Sequence, residues 1–340
     1  MKNRPTATTL SIAILGVTSL CLSSAAFAQQ GDYVAPRASD GNPDLQGMWT
    51  NNTITGLERP ARFADKAVLT VEEKDAWERE IAEFNAAQDQ PSDPDRAPPT
   101  KEQIDLADSY NNFWFDDGTT VAVYDGEYRT SLVVDPPDGR IPALTAAAQA
   151  RLAAAAEQRQ LAPFDGPESR SLAERCLLSF GSSSGPPMLP ILYNNHYQIV
   201  QAPGYVMILV EMVHDARIIR IDDDPLPAAM QPWMGDSIGR WEGETLVVET
   251  NNFNPQQSYR GSAENFRITE YFTRVGPDTI NYSFTVNDPD TFTAPWTAEI
   301  PMTRTDDKMF EYACHEGNYA LPGILAGARV EERDATEATQ

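Results

Sequence analysis

A chain of 340 residues with 50 acidic against 26 basic side chains carries a formal charge of −24. Such a surface repels phosphate backbones and anionic lipid headgroups, which argues against nucleic acid and against peripheral membrane binding. The length leaves room for one large domain or two small ones, and no internal repeat divides it.

The chain opens on a segment, 1–28, that reads as a cleavable export signal. Lys2 and Arg4 precede an apolar run at 10–22, and Ala26-Phe27-Ala28 supplies the small-x-small cleavage pattern before Gln29. The run is too short to span a bilayer, and the expected location is the periplasm or the exterior. Losing this leader removes two bases and no acid, so the formal charge moves from −24 to −26. Of the three cysteines, Cys21 goes with the leader and Cys176 and Cys314 remain. They are expected to form a disulfide, because exported thiols usually pair and neither stands in a Cys-x-x-Cys motif. Closing so long a loop contributes roughly 4–5 kcal/mol on loop-entropy grounds, less where the bond is strained.

A polar lead-in at 29–44 precedes a first strand at 45–50. Residues 69–89 read as a helix, with Thr70 as cap and Glu73 three residues on as in a capping box. The stretch 91–99 is proline-rich and acidic, hence a loop. A hairpin at 119–134 turns at Asp125-Gly126, and Asp135-Pro136-Pro137-Asp138-Gly139 ends it. An alanine-rich helix covers 145–160, and a Ser/Gly/Pro loop covers 181–190. Beyond it, short strands are expected at 193–201, 205–213, 217–221, 245–251, 265–275, 279–286, 296–303 and 309–315, separated by Gly, Pro and Asp turn signals. The segment Arg240-Trp241-Glu242 reads as a turn approach with a packed Trp. The fold class is therefore mainly β (α+β): an antiparallel meander closing into a β-barrel over a single unit, 45–329, with a β-sandwich as the alternative. Residues 330–340 are expected to be a disordered tail.

Two resemblances follow. Leu45-Gln46-Gly47-Met48-Trp49 is similar to the opening of lipocalin-like barrels, which implies that Trp49 plugs the closed end. The stretches from Trp233 to Val248, from Asp288 to Thr297 and from Glu311 to Tyr319, with their W-x-G-D-S-x-G-R-W-E-G and E-Y-A-C-H-E-G-N-Y motifs, resemble an uncharacterised family of secreted and periplasmic proteins of Gram-negative bacteria. That likeness implies export and one folded unit, and it carries no catalytic residue across.

Chemistry is sought among groups placed against the pattern. On 265–275, Phe266, Ile268, Glu270 and Phe272 share one face, apolar except for Glu270. On the next strand Tyr282 lies on the matching face, and continuing the alternation brings in Asp288. An inward carboxylate is costly unless paired, so Glu270 is either functional or bridged to an arginine such as Arg217, Arg240 or Arg260. The three histidines are His196, His214 and His315. His214 and His315 follow strands and each precedes a carboxylate, the setting of an acid/base; adjacent strand residues point to opposite faces, so any partner must come from another strand. If Cys314 is bridged on the outside, His315 points inward. His196 reads as a surface or hydrogen-bonded residue. No Gly-x-Ser-x-Gly, phosphate loop, dinucleotide fingerprint or His-Glu-x-x-His occurs. No cofactor is expected; zinc or iron held by the three histidines is the less favoured alternative, since no two share a compact ligand spacing.

The expected function is a cofactor-independent lyase, isomerase or hydrolase acting on a small organic molecule in the barrel. His214, His315 and Glu270 would move protons, while Arg217, Tyr282, Asp288 and Asn318 would hold substrate. The alternatives are a periplasmic binding or carrier protein for an apolar or aromatic ligand, and an envelope interaction protein.

Overall fold

The computed structural model describes residues 33–88, 95, 115–116, 118–179, 185–257, 259–262 and 265–338. The expected export signal, most of the proline-rich 91–99 loop and residues 181–184 lie outside the described residues. In chain order the elements begin with β1 (Gly47–Thr50), β2 (Val68–Leu69), α1 (Val71–Gln88), β3 (Val123–Tyr124), β4 (Glu127–Arg129), β5 (Val133–Asp135) and α2 (Ala146–Leu161). The late chain supplies β6 (His196–Ala202), β7 (Tyr205–Val210), β8 (Ala216–Ile221), β9 (Asp236–Glu242) and β10 (Thr245–Asn251). It ends with β11 (Arg267–Gly276), β12 (Thr279–Asn287), β13 (Trp296–Arg304), α3 (Cys314–Gly317) and α4 (Ala320–Ala338).

Strands β6 to β13 follow one another around a sheet, and β1 closes it by pairing with β6 on one side and β13 on the other. The result is a closed barrel of the lipocalin-like kind, not a sandwich. Strand β5 takes the rest of the β13 edge at Thr297 and Ala298. All neighbours are antiparallel except β8 and β9, which run parallel through Arg220↔Ile238 and Ile221↔Gly239. The intervening 222–235 is a crossover of the length a parallel pair requires.

Two expectations about the strands need correction. The segment 309–315 is not a strand: it is coil running into α3, because residues 47–50 and 133–135 already occupy the open edge of β13. Conversely, β9 is a strand that alternation did not reveal. Its inward positions include Ser237 and Gly239, small residues that give no apolar signal. A Cβ on Gly239 would lie 2.8 Å from side-chain carbons of both Ile219 and Ile221, so the neighbouring strands fill the space instead. Farther on, 330–338 continues α4 where a disordered tail was expected.

Period-2 alternation turns Phe272, Tyr282, Phe284, Trp296 and Ile300 inward, all fully buried, and the interior is packed with side chains, as small barrels are. Fully burying one such apolar side chain contributes roughly 1.5–3 kcal/mol. At one end Trp49 is buried; its indole N–H donates to the Leu45 carbonyl at 2.9 Å. The guanidinium carbons of Arg304 and Arg274 lie 4.5 and 5.8 Å from the centre of its ring. Outside the barrel, the Thr70 and Glu73 capping box begins α1: the Glu73 carboxylate takes the Thr70 N–H at 2.8 Å and the Thr70 hydroxyl takes the Glu73 N–H at 3.3 Å. Thr145 caps α2 by accepting the Ala148 N–H. Asp125 and Gly126, both at positive φ, turn the β3–β4 hairpin.

Candidate functional site

Strands β8, β9, β10, β11 and β12 build a polar cluster inside the barrel. Arg217 on β8 faces Glu270 on β11 and grips both of its oxygens: one terminal nitrogen donates to Oε1 at 2.9 Å and the other donates to Oε2. Arg217 also donates to the hydroxyls of Ser237 at 3.1 Å and Thr250 at 3.1 Å. Tyr282 sits diagonally across the β11–β12 register from Glu270, and its hydroxyl donates to Oε1 at 2.9 Å. Burial pushes the Tyr282 phenol well above its ordinary range, and the Glu270 charge adds to the effect. The hydroxyl therefore stays a donor. Glu270 is 0 % and Arg217 2 % accessible. Sealed and fully bonded, this pair has the geometry of a structural bridge.

The cluster reaches the barrel mouth through a plug segment, 185–190. Met188 is buried there; its N–H donates to the Tyr282 oxygen at 3.0 Å, and its carbonyl accepts from the Asn51 amide at 3.1 Å. The same Asn51 nitrogen donates to the Tyr197 hydroxyl at 3.2 Å. Above the plug opens a cleft of about 870 Å³. Thr53, Thr55 and Leu57 line it from the segment after β1, Ile81 and Phe84 from α1, and Leu172 and Leu178 from the turn before the plug. Pro186, Leu189, Ile191, Tyr259 and Arg260 complete the wall. Arg260 is the only charged side chain among the described lining residues. Its backbone is left-handed, φ +50°, which costs a non-glycine residue about 1–2 kcal/mol. Its guanidinium carbon lies 5.9 Å from the centre of the Tyr259 ring.

The wall at 172–178 is tied to the C-terminal segment by the disulfide Cys176–Cys314, as expected. Asn318 braces that junction: its amide donates to the Glu174 carbonyl at 2.8 Å, and its oxygen accepts the Leu321 N–H at 3.2 Å at the start of α4.

The expected site residues are brought together only in part. Arg217, Glu270 and Tyr282 are together inside the barrel. Asp288 is buried just past the end of β12, where its carboxylate accepts the Asp290 N–H at 3.2 Å. His214 is exposed in the turn after β7, with Nδ1 3.1 Å from the Tyr312 carbonyl oxygen. His315 is exposed on α3 and does not point into the barrel, because the strand expected to carry it is absent. Neither imidazole is hydrogen-bonded to Glu270. No cluster of three or more His, Cys, Asp or Glu side chains able to hold a metal occurs among the described residues.

A pairing that sequence reasoning missed lies on β6. His196 Nδ1 is 2.7 Å from the buried Glu211 carboxylate, whose other oxygen accepts the Phe310 N–H at 3.1 Å. The hydrogen bond to Glu211 raises His196 above its ordinary value. Burial alone would raise Glu211, but the hydrogen bonds from His196 and the Phe310 N–H outweigh it and hold the carboxyl low. Asp307 approaches the other ring nitrogen at 3.9 Å. Glu211 follows β7 directly and β7 pairs with β6, so strand pairing brings it to His196 across 15 residues. Only the hairpin register could have signalled it.

Comparison with protein-family models, with curated proteins and with solved structures finds no match.

Proposed function

We propose that this is an exported binding protein for an amphipathic organic molecule with an apolar or aromatic body and an anionic head, held in the cleft above the barrel mouth. One observation carries the reading. In a chain with 50 acidic residues, the described lining of an 870 Å³ cleft contains no carboxylate and one arginine. Ligand sites are commonly concave, mostly apolar and marked by a few placed polar groups. Arg260 would take the head, the Leu, Ile and Phe side chains the body. Export to an oxidising compartment is supported by the leader-like 1–28 and by the disulfide.

The test is a binding titration with paired ligands, a medium-chain or aryl carboxylate and its neutral amide. The acid should bind more tightly, and Arg260→Ala should weaken it roughly 10–100-fold while leaving the amide within about threefold, the range of one charge-assisted hydrogen bond. Equal affinities, or no loss in the variant, would overturn the assignment.

A second reading, an acid/base enzyme, draws support from the His196–Glu211 pair, in which a buried carboxylate orients an imidazole as a general base requires. It would move the chemistry away from Glu270, whose oxygens are both engaged.

A further inference from the structure

Among the described residues three arginines are buried: Arg59 at 6 %, Arg217 at 2 % and Arg274 at 8 % accessibility. Two are saturated. Arg217 has a carboxylate and two hydroxyls, and Arg274 donates to the carbonyls of Asp44, Gly276 and Pro277. Arg59 has none of this. No described carboxylate, carbonyl or hydroxyl bonds its guanidinium, and its Nε is sealed from solvent without a partner. The two terminal nitrogens keep the little accessibility the residue retains.

The surroundings hold the group in place instead of neutralising it. The Arg59 N–H donates to the Gly139 carbonyl at 2.9 Å, pinning the backbone beside the 136–139 turn. Gly139 has φ +71°, and a Cβ there would lie 3.0 Å from both Cβ and Cζ of Arg59 and 2.5 Å from the Ser131 oxygen. Only glycine lets the guanidinium lie against this turn. The acids next to Arg59 and to Gly139 in the chain are turned to other work: Glu58 accepts the Ile141 N–H at 2.8 Å and Asp138 the Arg140 N–H at 3.0 Å. An uncompensated buried cation costs several kcal/mol, and in a chain with 50 acidic residues counter-ions are in surplus.

We propose that Arg59 is the anchor of an oxyanion site. The occupant is a carboxylate, phosphate or sulfate group that accepts two parallel N–H bonds from the terminal nitrogens, the pairing for which a guanidinium fork is shaped. The site stands apart from the cleft, whose described lining does not include Arg59, so either assignment can fail alone.

Thermal melting of the full, disulfide-bonded protein at matched ionic strength tests it, with sodium chloride alone or with sodium phosphate, sulfate or acetate added. The wild type should melt at a higher temperature, saturably, with at least one of the three oxyanions. Phosphate and sulfate against acetate tell a tetrahedral occupant from a carboxylate. Arg59→Met should abolish the response and, in chloride alone, melt no lower than the wild type, so that the two proteins change order when the anion is added. Arg59→Lys keeps the charge without the fork and should raise the half-saturating concentration roughly tenfold or more. A wild type indifferent to all three anions would overturn the proposal. So would an Arg59→Met that responds like the wild type or is equally less stable in every buffer, the mark of a structural arginine. Should Arg59→Met fail to fold, an unshifted half-saturation in Arg59→Lys would refute it.

Discussion

Replacing Arg217 by methionine strips Glu270 of two of its three hydrogen bonds and leaves a fully buried carboxylate with the Tyr282 hydroxyl as its remaining donor. Removing one partner of such a pair costs about 3–5 kcal/mol, because the surviving charge keeps its desolvation penalty and loses its attraction. The hydroxyls of Ser237 and Thr250 still bond each other at 2.8 Å, so they add little to the loss. Replacing both ends, Arg217→Met with Glu270→Leu, removes the charge as well as its partner and should restore stability to within about 1–2 kcal/mol of the wild type. The Tyr282 hydroxyl keeps the Met188 N–H as a donor, which limits the residual cost. Urea unfolding with the disulfide intact measures all three proteins, and the comparison requires an unchanged m-value. The reasoning fails if Arg217→Met alone lies within about 1 kcal/mol of the wild type, or if the double variant is as unstable as the sum of its parts. Either result would mean that Glu270 is hydrated, and its enclosure would be wrong.

The His196–Glu211 pair predicts a stability maximum against pH. Glu211 is held below its ordinary 4.5, so its contribution is present above that value and is lost as pH falls through the lowered one. His196 is raised above 6.5, so its contribution is complete below 6.5 and is lost as pH rises through the raised value. Urea midpoints from pH 3 to 9 should therefore peak between the two and flatten in His196→Gln; an unaltered profile in that variant would dissociate the pair from the pH dependence. Reducing the Cys176–Cys314 bond, or replacing both residues by serine, should cost roughly 2–4 kcal/mol in unfolding free energy, with a loss below about 0.5 kcal/mol counting against a stabilising bridge.

Where a signal was local or periodic, the sequence carried it. The run Phe266, Ile268, Glu270, Phe272 places a carboxylate among apolar residues at every second position, and Glu270 is indeed inside the barrel. Tyr282 could be set beside it because hairpin pairing fixes the register of β11 and β12, and Arg217 was among three arginines considered as its partner. The capping box at Thr70 and the turn at Asp125-Gly126 are local in the same sense. Long-range choices were not legible. Alternation through Phe310 and Tyr312 suggested a last strand, yet strand formation needs a free edge, and β1, far away near the start of the chain, had taken it. Strand β9 was hidden because Ser237 and Gly239 face inward, one to bond Arg217 and the other to make room for Ile219 and Ile221. His315 was misplaced for the first of these reasons. The cleft could not be foreseen either, since its walls come from segments between Thr53 and Arg260 that no single period connects.

The packed interior shifts attention to the mouth. A barrel that holds its ligand inside leaves room among its inward side chains, whereas here aromatic and aliphatic groups and the Arg217–Glu270 pair occupy that space. The buried polar groups nonetheless bear on the outside, because Tyr282 holds the Met188 N–H and Asn51 holds the Met188 carbonyl. Met188 lies between Pro186 and Leu189, both of which line the cleft. Two hydrogen bonds on one peptide segment fix the height of the cleft floor against the barrel wall. A carboxylate inside the barrel, looking catalytic from alternation alone, thus acquires a positional role: it orients the phenol that seats the plug. Rigidity of that floor lowers the ordering cost of any ligand resting on it, which gives the cluster a bearing on binding without requiring Glu270 to touch the ligand.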